Sequence, residues 1–143
     1  MTNSVQKDLY SDIIRKIRCG SYQGKMIKAK PILMYSVINM IENGIVLNNK
    51  IPFDVNSEKV YQDTFTYFGI NATPYFKPFY YLQYDGLWHL EWKAKVKASE
   101  RPSAKLIREN VKYAYLDNAL WDLLQEKEMR DYFRRIIENH YLK

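Results

Sequence analysis

Histidine, cysteine and the acidic residues bound the chemistry open to this chain, and the first two are scarce. It has two histidines, His89 and His140, and one cysteine, Cys19. No pair among them stands at metal-ligand spacing, so no zinc site is expected. A His-Asn-His metal-nuclease core needs more histidines than the chain holds. No glycine-rich phosphate cradle and no nucleophile elbow is present. The acids form no spaced pair suited to general acid–base work. His89 reads as a solvated side chain on a strand's polar face, Asp85 as a turn former and Cys19 as a bystander at a helix end. The expectation is a non-enzyme without metal or cofactor.

Basic and aromatic residues carry what remains. The net charge of +6 and a pI near 9.3 favour an acidic partner, most often nucleic acid. In "KMIKAKP", Lys25, Lys28 and Lys30 precede a helix start at Pro31, where free backbone N–H groups make a phosphate seat. Lys93, Lys95 and Lys97 recur on one face of a strand, with Arg101, Lys105 and Arg108 beyond them. Such a ladder suits a phosphate backbone, and it also protects an exposed sheet edge. Between Tyr61 and Trp92 stand 12 of the 22 aromatic residues. Phe65, Phe68, Phe79, Trp88 and Trp92 suit inner faces. Tyr75, Phe76, Lys77, Tyr80, Tyr81 and Tyr84 cannot all point inward, and rings with polar tips favour a partner or a stacked base.

The elements that position these residues follow from periodicity. Val5, Leu9, Ile13, Ile14 and Ile17 predict an amphipathic first helix, followed by the basic connector "SYQGKMIKAK". "KPILMYSVINMIENG" is apolar on more than one face and predicts a central helix stopped at Gly44. "IVLNNKI" suits a short strand. A third helix spans about Val55 to Phe68, capped by Asp54 or Asn56 and stopped at Gly69. Asp85-Gly86 between aromatic runs predicts a hairpin pairing Tyr80–Tyr84 with Leu87–Lys97. The segment beyond Pro102 reads as helical. The fold class is therefore α+β, mainly helical: a winged-helix-like core over about 1–98, with the hairpin as wing and a C-terminal helical layer over about 103–142. At 143 residues this is a single domain. No apolar run approaches the ~18–20 residues that span a bilayer. The polar N-terminus is not a signal peptide, and the lone cysteine suits a reducing compartment. The expected location is cytoplasmic, away from membranes.

"GKMIKAKPILMYSVINMIENG…NNKI" followed by "KPFYYLQYDGLWHL" resembles the N-terminal sulfur-recognising domain of modification-dependent HNH restriction endonucleases. "AYLDNALWDLLQEKEMRDYFRRIIENHYL" is similar to the stretch that closes that domain, and the nuclease part is missing. The resemblance runs from about Gly24 to Leu142. It implies binding of phosphorothioate-modified DNA through a small apolar cavity beside basic residues. Ala29 and Lys30 stand where the family has its histidine and basic residue. Lys77 and Pro78 stand where it has tyrosine and proline, and Tyr81 stands where a small residue leaves room for sulfur. Only Pro78 and the charge of Lys30 are kept. The expectation is that the Tyr81 ring fills the cavity and that Lys77 puts a cation in its wall.

The leading reading is a non-catalytic DNA-binding domain serving restriction, phage defence or regulation. Its candidate contacts are Lys28, Lys30, Lys77, Pro78, Tyr80, Tyr81, Lys93, Lys95, Lys97 and Lys105. The partner is duplex DNA, plain or modified, with a separate nuclease or other protein as a second partner. The alternative is a protein-interaction module that docks through the Tyr-rich edge over residues 75–84.

Overall fold

The computed structural model describes residues 3–93 and 101–143. The fold is α+β and mainly helical, with two small antiparallel sheets. Helix α1 (Asn3–Arg15) leads into a two-stranded hairpin, β1 (Ser21–Tyr22) and β2 (Lys25–Met26). This hairpin lies in the segment expected to be a plain connector. Gln23 and Gly24 both have positive φ, 52° and 77°. That is the backbone a two-residue hairpin loop requires.

Helix α2 (Ala29–Glu42) occupies the centre, with Ile32, Leu33, Met34, Val37, Ile38 and Met40 fully buried. Each such side chain contributes roughly 1.5–3 kcal/mol of burial. Helix α3 (Val55–Phe68) packs on α2, and a buried Ser36 Oγ to Thr64 Oγ1 bond of 2.9 Å ties the two together. Asp54, one of the two caps the sequence offers, caps α3 reciprocally with Ser57. The expected strand in "IVLNNKI" shrinks to a single bridge between Ile51 and Ala114. Beside it, the Asn49 side-chain amide does a strand's work. It donates to Leu116 O at 2.7 Å and accepts from Leu116 N at 2.8 Å.

Over the described residues the predicted wing does not form. Phe76–Tyr81 is helix α4, continued by a 3-10 turn over Leu82–Asp85. Tyr75, Pro78, Phe79 and Leu82 are buried, a helical i, i+3, i+4, i+7 stripe. Pro78 sits in the first turn of α4, where its missing N–H is not needed. The Trp88 indole locks the arrangement by donating to Phe79 O at 2.9 Å. Gly86, at φ 90°, makes the turn into strand β3 (Trp88–Trp92).

Strand β3 pairs with β4 (Val111–Leu116), inside the part expected to be wholly helical. A register shift between Glu91 and Trp92 marks a bulge. Helix α5 (Ala104–Asn110), capped by Ser103, precedes β4; α6 (Asn118–Leu123) and α7 (Lys127–Ile137) follow it. Helix α7 packs on α1 and α2, and a π-helical turn over Glu138–Leu142 ends the chain. There the Tyr141 hydroxyl donates to Ile14 O at 2.6 Å. Among the described residues, no helix is long and apolar enough to cross a membrane.

Candidate nucleic-acid interface

The start of α2 and the start of α4 face one another across a cavity of about 290 Å³, which opens to solvent. Its lining includes Ala29, Lys30, Lys77, Pro78 and Tyr81. Two segments far apart in sequence thus meet at one cavity. The other lining residues are Arg18, Cys19, Gly20, Ile27 and Thr73, none of which the sequence reading placed at a site. Tyr81 does not fill the space, contrary to expectation. It stands in the lining with 42% of its surface exposed, its ring turned edge-on to Tyr80 at 5.0 Å. The helical turn of α4 is what carries Tyr81 outward, one residue before the buried Leu82.

The charges around the cavity are unequal. Lys30 is not a free cation: its ammonium lies 2.7 Å from Asp85 Oδ2, with side-chain exposures of 18% and 2%. Asp85 is thus more than the turn former the sequence suggested. Its Oδ1 also accepts the backbone N–H of Arg18 at 2.9 Å. One carboxylate therefore joins the segment after α1, the start of α2 and the 3-10 turn after α4. The Arg18 guanidinium stays largely in solvent and donates to Tyr84 O. Lys77 is exposed, and its ammonium has no acidic partner among the described residues.

Cys19 also lines the cavity. Burial pushes its thiol pKa up, with Lys30 pulling it down and Asp85 adding to the rise. A protonated thiol is a poor nucleophile.

The remaining candidates fall into four groups. Lys28 lines a second cavity with Tyr22, Lys25 and Met26, which shares Ile27 and Thr73 with the first. Tyr80 belongs to a ring cluster with Tyr81, Tyr84 and Trp92. The Tyr80 hydroxyl is pushed up to about 12 by its bond with Tyr84 and by burial, so it stays neutral. Lys93 and Lys105 are exposed but do not line the main cavity. Lys95 and Lys97 lie outside the described residues, so the lysine ladder is described at Lys93 alone.

The aromatic run divides between core and surface. Tyr75, read as an outward candidate, is buried and stacks on Phe53 at 5.1 Å. Phe65, Phe79 and Trp88 are core as expected, while Phe68 and Trp92 are only partly buried.

His89 is not simply solvated. Its Nε2 lies 2.5 Å from Asp117 Oδ1, and its ring lies against Tyr115. Asp117 Oδ2 accepts the Tyr10 hydroxyl at 2.7 Å. Burial, then this bond, raises the Tyr10 pKa. Both Asp117 oxygens are engaged, so the trio bridges α1 to the β3–β4 ribbon. Among the described residues, no group of three or more His, Cys, Asp or Glu is placed to hold a metal ion. No protein-family model matches the sequence, and no curated protein matches it.

Proposed function

We propose that this chain is a non-catalytic DNA-binding domain related to the sulfur-recognising domain of HNH restriction endonucleases, acting in restriction, phage defence or regulation in the cytoplasm. One observation carries the reading. The positions that the resemblance assigns to DNA contact, scattered over two segments, line a single cavity together with Lys77, whose ammonium has no acidic partner among the described residues. Lys77 supplies the free charge there, the largely solvated Arg18 guanidinium pairs only loosely with Asp85, and Lys30 is held back by Asp85. Of the winged-helix expectation, the reading keeps the helical frame and replaces the wing. The docking edge is formed by α2 and α4, with Lys93 and Lys105 as outlying phosphate contacts.

Sulfur is not favoured over oxygen in this reading. A cavity far wider than one atom does not grip a single sulfur, and an ammonium prefers the well-hydrated oxyanion. The preference for phosphorothioate over ordinary duplex is expected to be less than about threefold, under about 0.7 kcal/mol. A salt titration of duplex binding tests the DNA reading. Affinity falls steeply as salt rises, and Lys77→Gln flattens the slope by about 0.9. Absence of duplex binding at low salt would sink the reading.

A second reading has its own support. Tyr81 and Tyr84 are 42% and 56% exposed on one edge. Half-exposed tyrosines suit a protein partner. In that case duplex binding is absent and Tyr84→Ala abolishes co-purification of the partner.

A further inference from the structure

The resemblance implies a pocket about one atom wide, and the cavity does not fit that ligand. Its volume of about 290 Å³ lies close to the ~300 Å³ at which sites for whole small molecules begin. The lining also divides by chemistry. Ile27, Ala29 and Pro78 are apolar, Tyr81 offers a ring, and Lys77 and Arg18 bring charge. A phosphate alone would leave the apolar wall facing water. An apolar molecule alone would leave Lys77 without a counter-charge. A nucleotide has both parts.

We propose that the cavity receives a nucleotide turned out of the duplex, its base against Tyr81 and Pro78 and its phosphate beside Lys77 and Arg18. The inference rests on the DNA-binding reading and adds a substrate class: duplex in which one base is weakly paired. Extruding a mismatched base costs less than extruding a paired one, so such a site selects for the mismatch. Stacking on a tyrosine ring tolerates any base, because every base has a π-face. The open mouth of the cavity and the exposed position of Tyr81 give the base a way in.

The test compares two duplexes of one sequence, fully paired and with a single central mismatch, bound to the full chain at fixed salt. The mismatched duplex is expected to bind about tenfold tighter. Tyr81→Ala should lower that ratio below about threefold, and Tyr81→Phe, which keeps the ring, should restore it. Circular dichroism verifies that each variant is folded. A wild-type ratio below about twofold, with paired duplex still bound, overturns the extruded nucleotide and leaves the DNA reading standing. A high ratio that survives Tyr81→Ala also overturns it, because the preference then comes from a mismatch bending easily. If neither duplex binds, both readings fall. If deoxynucleoside monophosphates bind while duplexes do not, the cavity belongs to a free nucleotide and the extruded form is wrong.

Discussion

Asp85 holds three groups at once: the Lys30 ammonium, the Arg18 backbone N–H and, more loosely, the Arg18 guanidinium. Its side chain is 2% exposed, so the charge has little water to fall back on. Asp85→Asn keeps the size and removes the charge, leaving Lys30 unpaired at 18% exposure. The loss is expected at about 3 kcal/mol in urea unfolding, the low end for breaking a buried pair. Adding Lys30→Met should recover much of it, since no ion is then stranded. Tyr75 presents the opposite case. Its hydroxyl is buried near Ser57 without a well-formed hydrogen bond among the described residues. Tyr75→Phe removes an unsatisfied polar atom and keeps the stacked ring, so stability should hold or rise by up to about 1 kcal/mol.

At the scale of elements, α3 depends on its cap. Asp54 accepts from Ser57 N at 2.9 Å while Asp54 N donates to Ser57 Oγ at 3.2 Å. Asp54→Ala is expected to lower stability by about 1 kcal/mol in thermal unfolding, with the helix otherwise kept. This helix was legible because its signals are local: a capping aspartate, a helical stripe and a stop at Gly69, whose φ is 68°. The ribbon was not legible for the converse reason. The partner of β3 is β4, on the far side of α5, and no local signal names a partner across that distance. Asp85-Gly86 did mark a turn, but it joins a helix to a strand. The clue was the spacing of Tyr75, Pro78, Phe79 and Leu82, which the density of rings and the Asp-Gly turn signal outweighed. Of the cavity lining, Lys30, Lys77, Pro78 and Tyr81 were positions that the resemblance named. Arg18 was not legible, because only the closed fold brings it to the cavity, and neither was the role of Asp85 in holding Lys30.

Across the whole molecule, α7 is fastened to the C-terminal end of α2 by charge. The Arg134 guanidinium reaches both Glu42 oxygens at 2.9 Å, and Arg130 adds a bond at 3.3 Å. The Arg134 hydrogen bonds hold the Glu42 carboxyl below its ordinary range; burial opposes them as the next largest effect, and the Arg134 and Arg130 charges add to the lowering. A carboxyl lowered in the folded state stabilises fully above its unfolded pKa, about 4.3. That stability is lost as pH falls through the folded value. Glu42→Gln should therefore cost stability at about pH 7 and far less at about pH 3, measured by urea unfolding at each. An equal cost at both would mean that the contact acts through packing alone.

The bond from the Arg18 backbone to Asp85 gives the cavity its own reporter. Arg18 lies in the segment between α1 and β1, where an unbonded amide would exchange its hydrogen with water freely. Here it is tied to a carboxylate that also holds Lys30. Exchange at that one amide therefore times the opening of the Lys30–Asp85 pair. A ligand that draws Lys30 away from Asp85 should speed exchange at Arg18, and one that binds to Lys77 and Tyr81 alone should slow it or leave it alone.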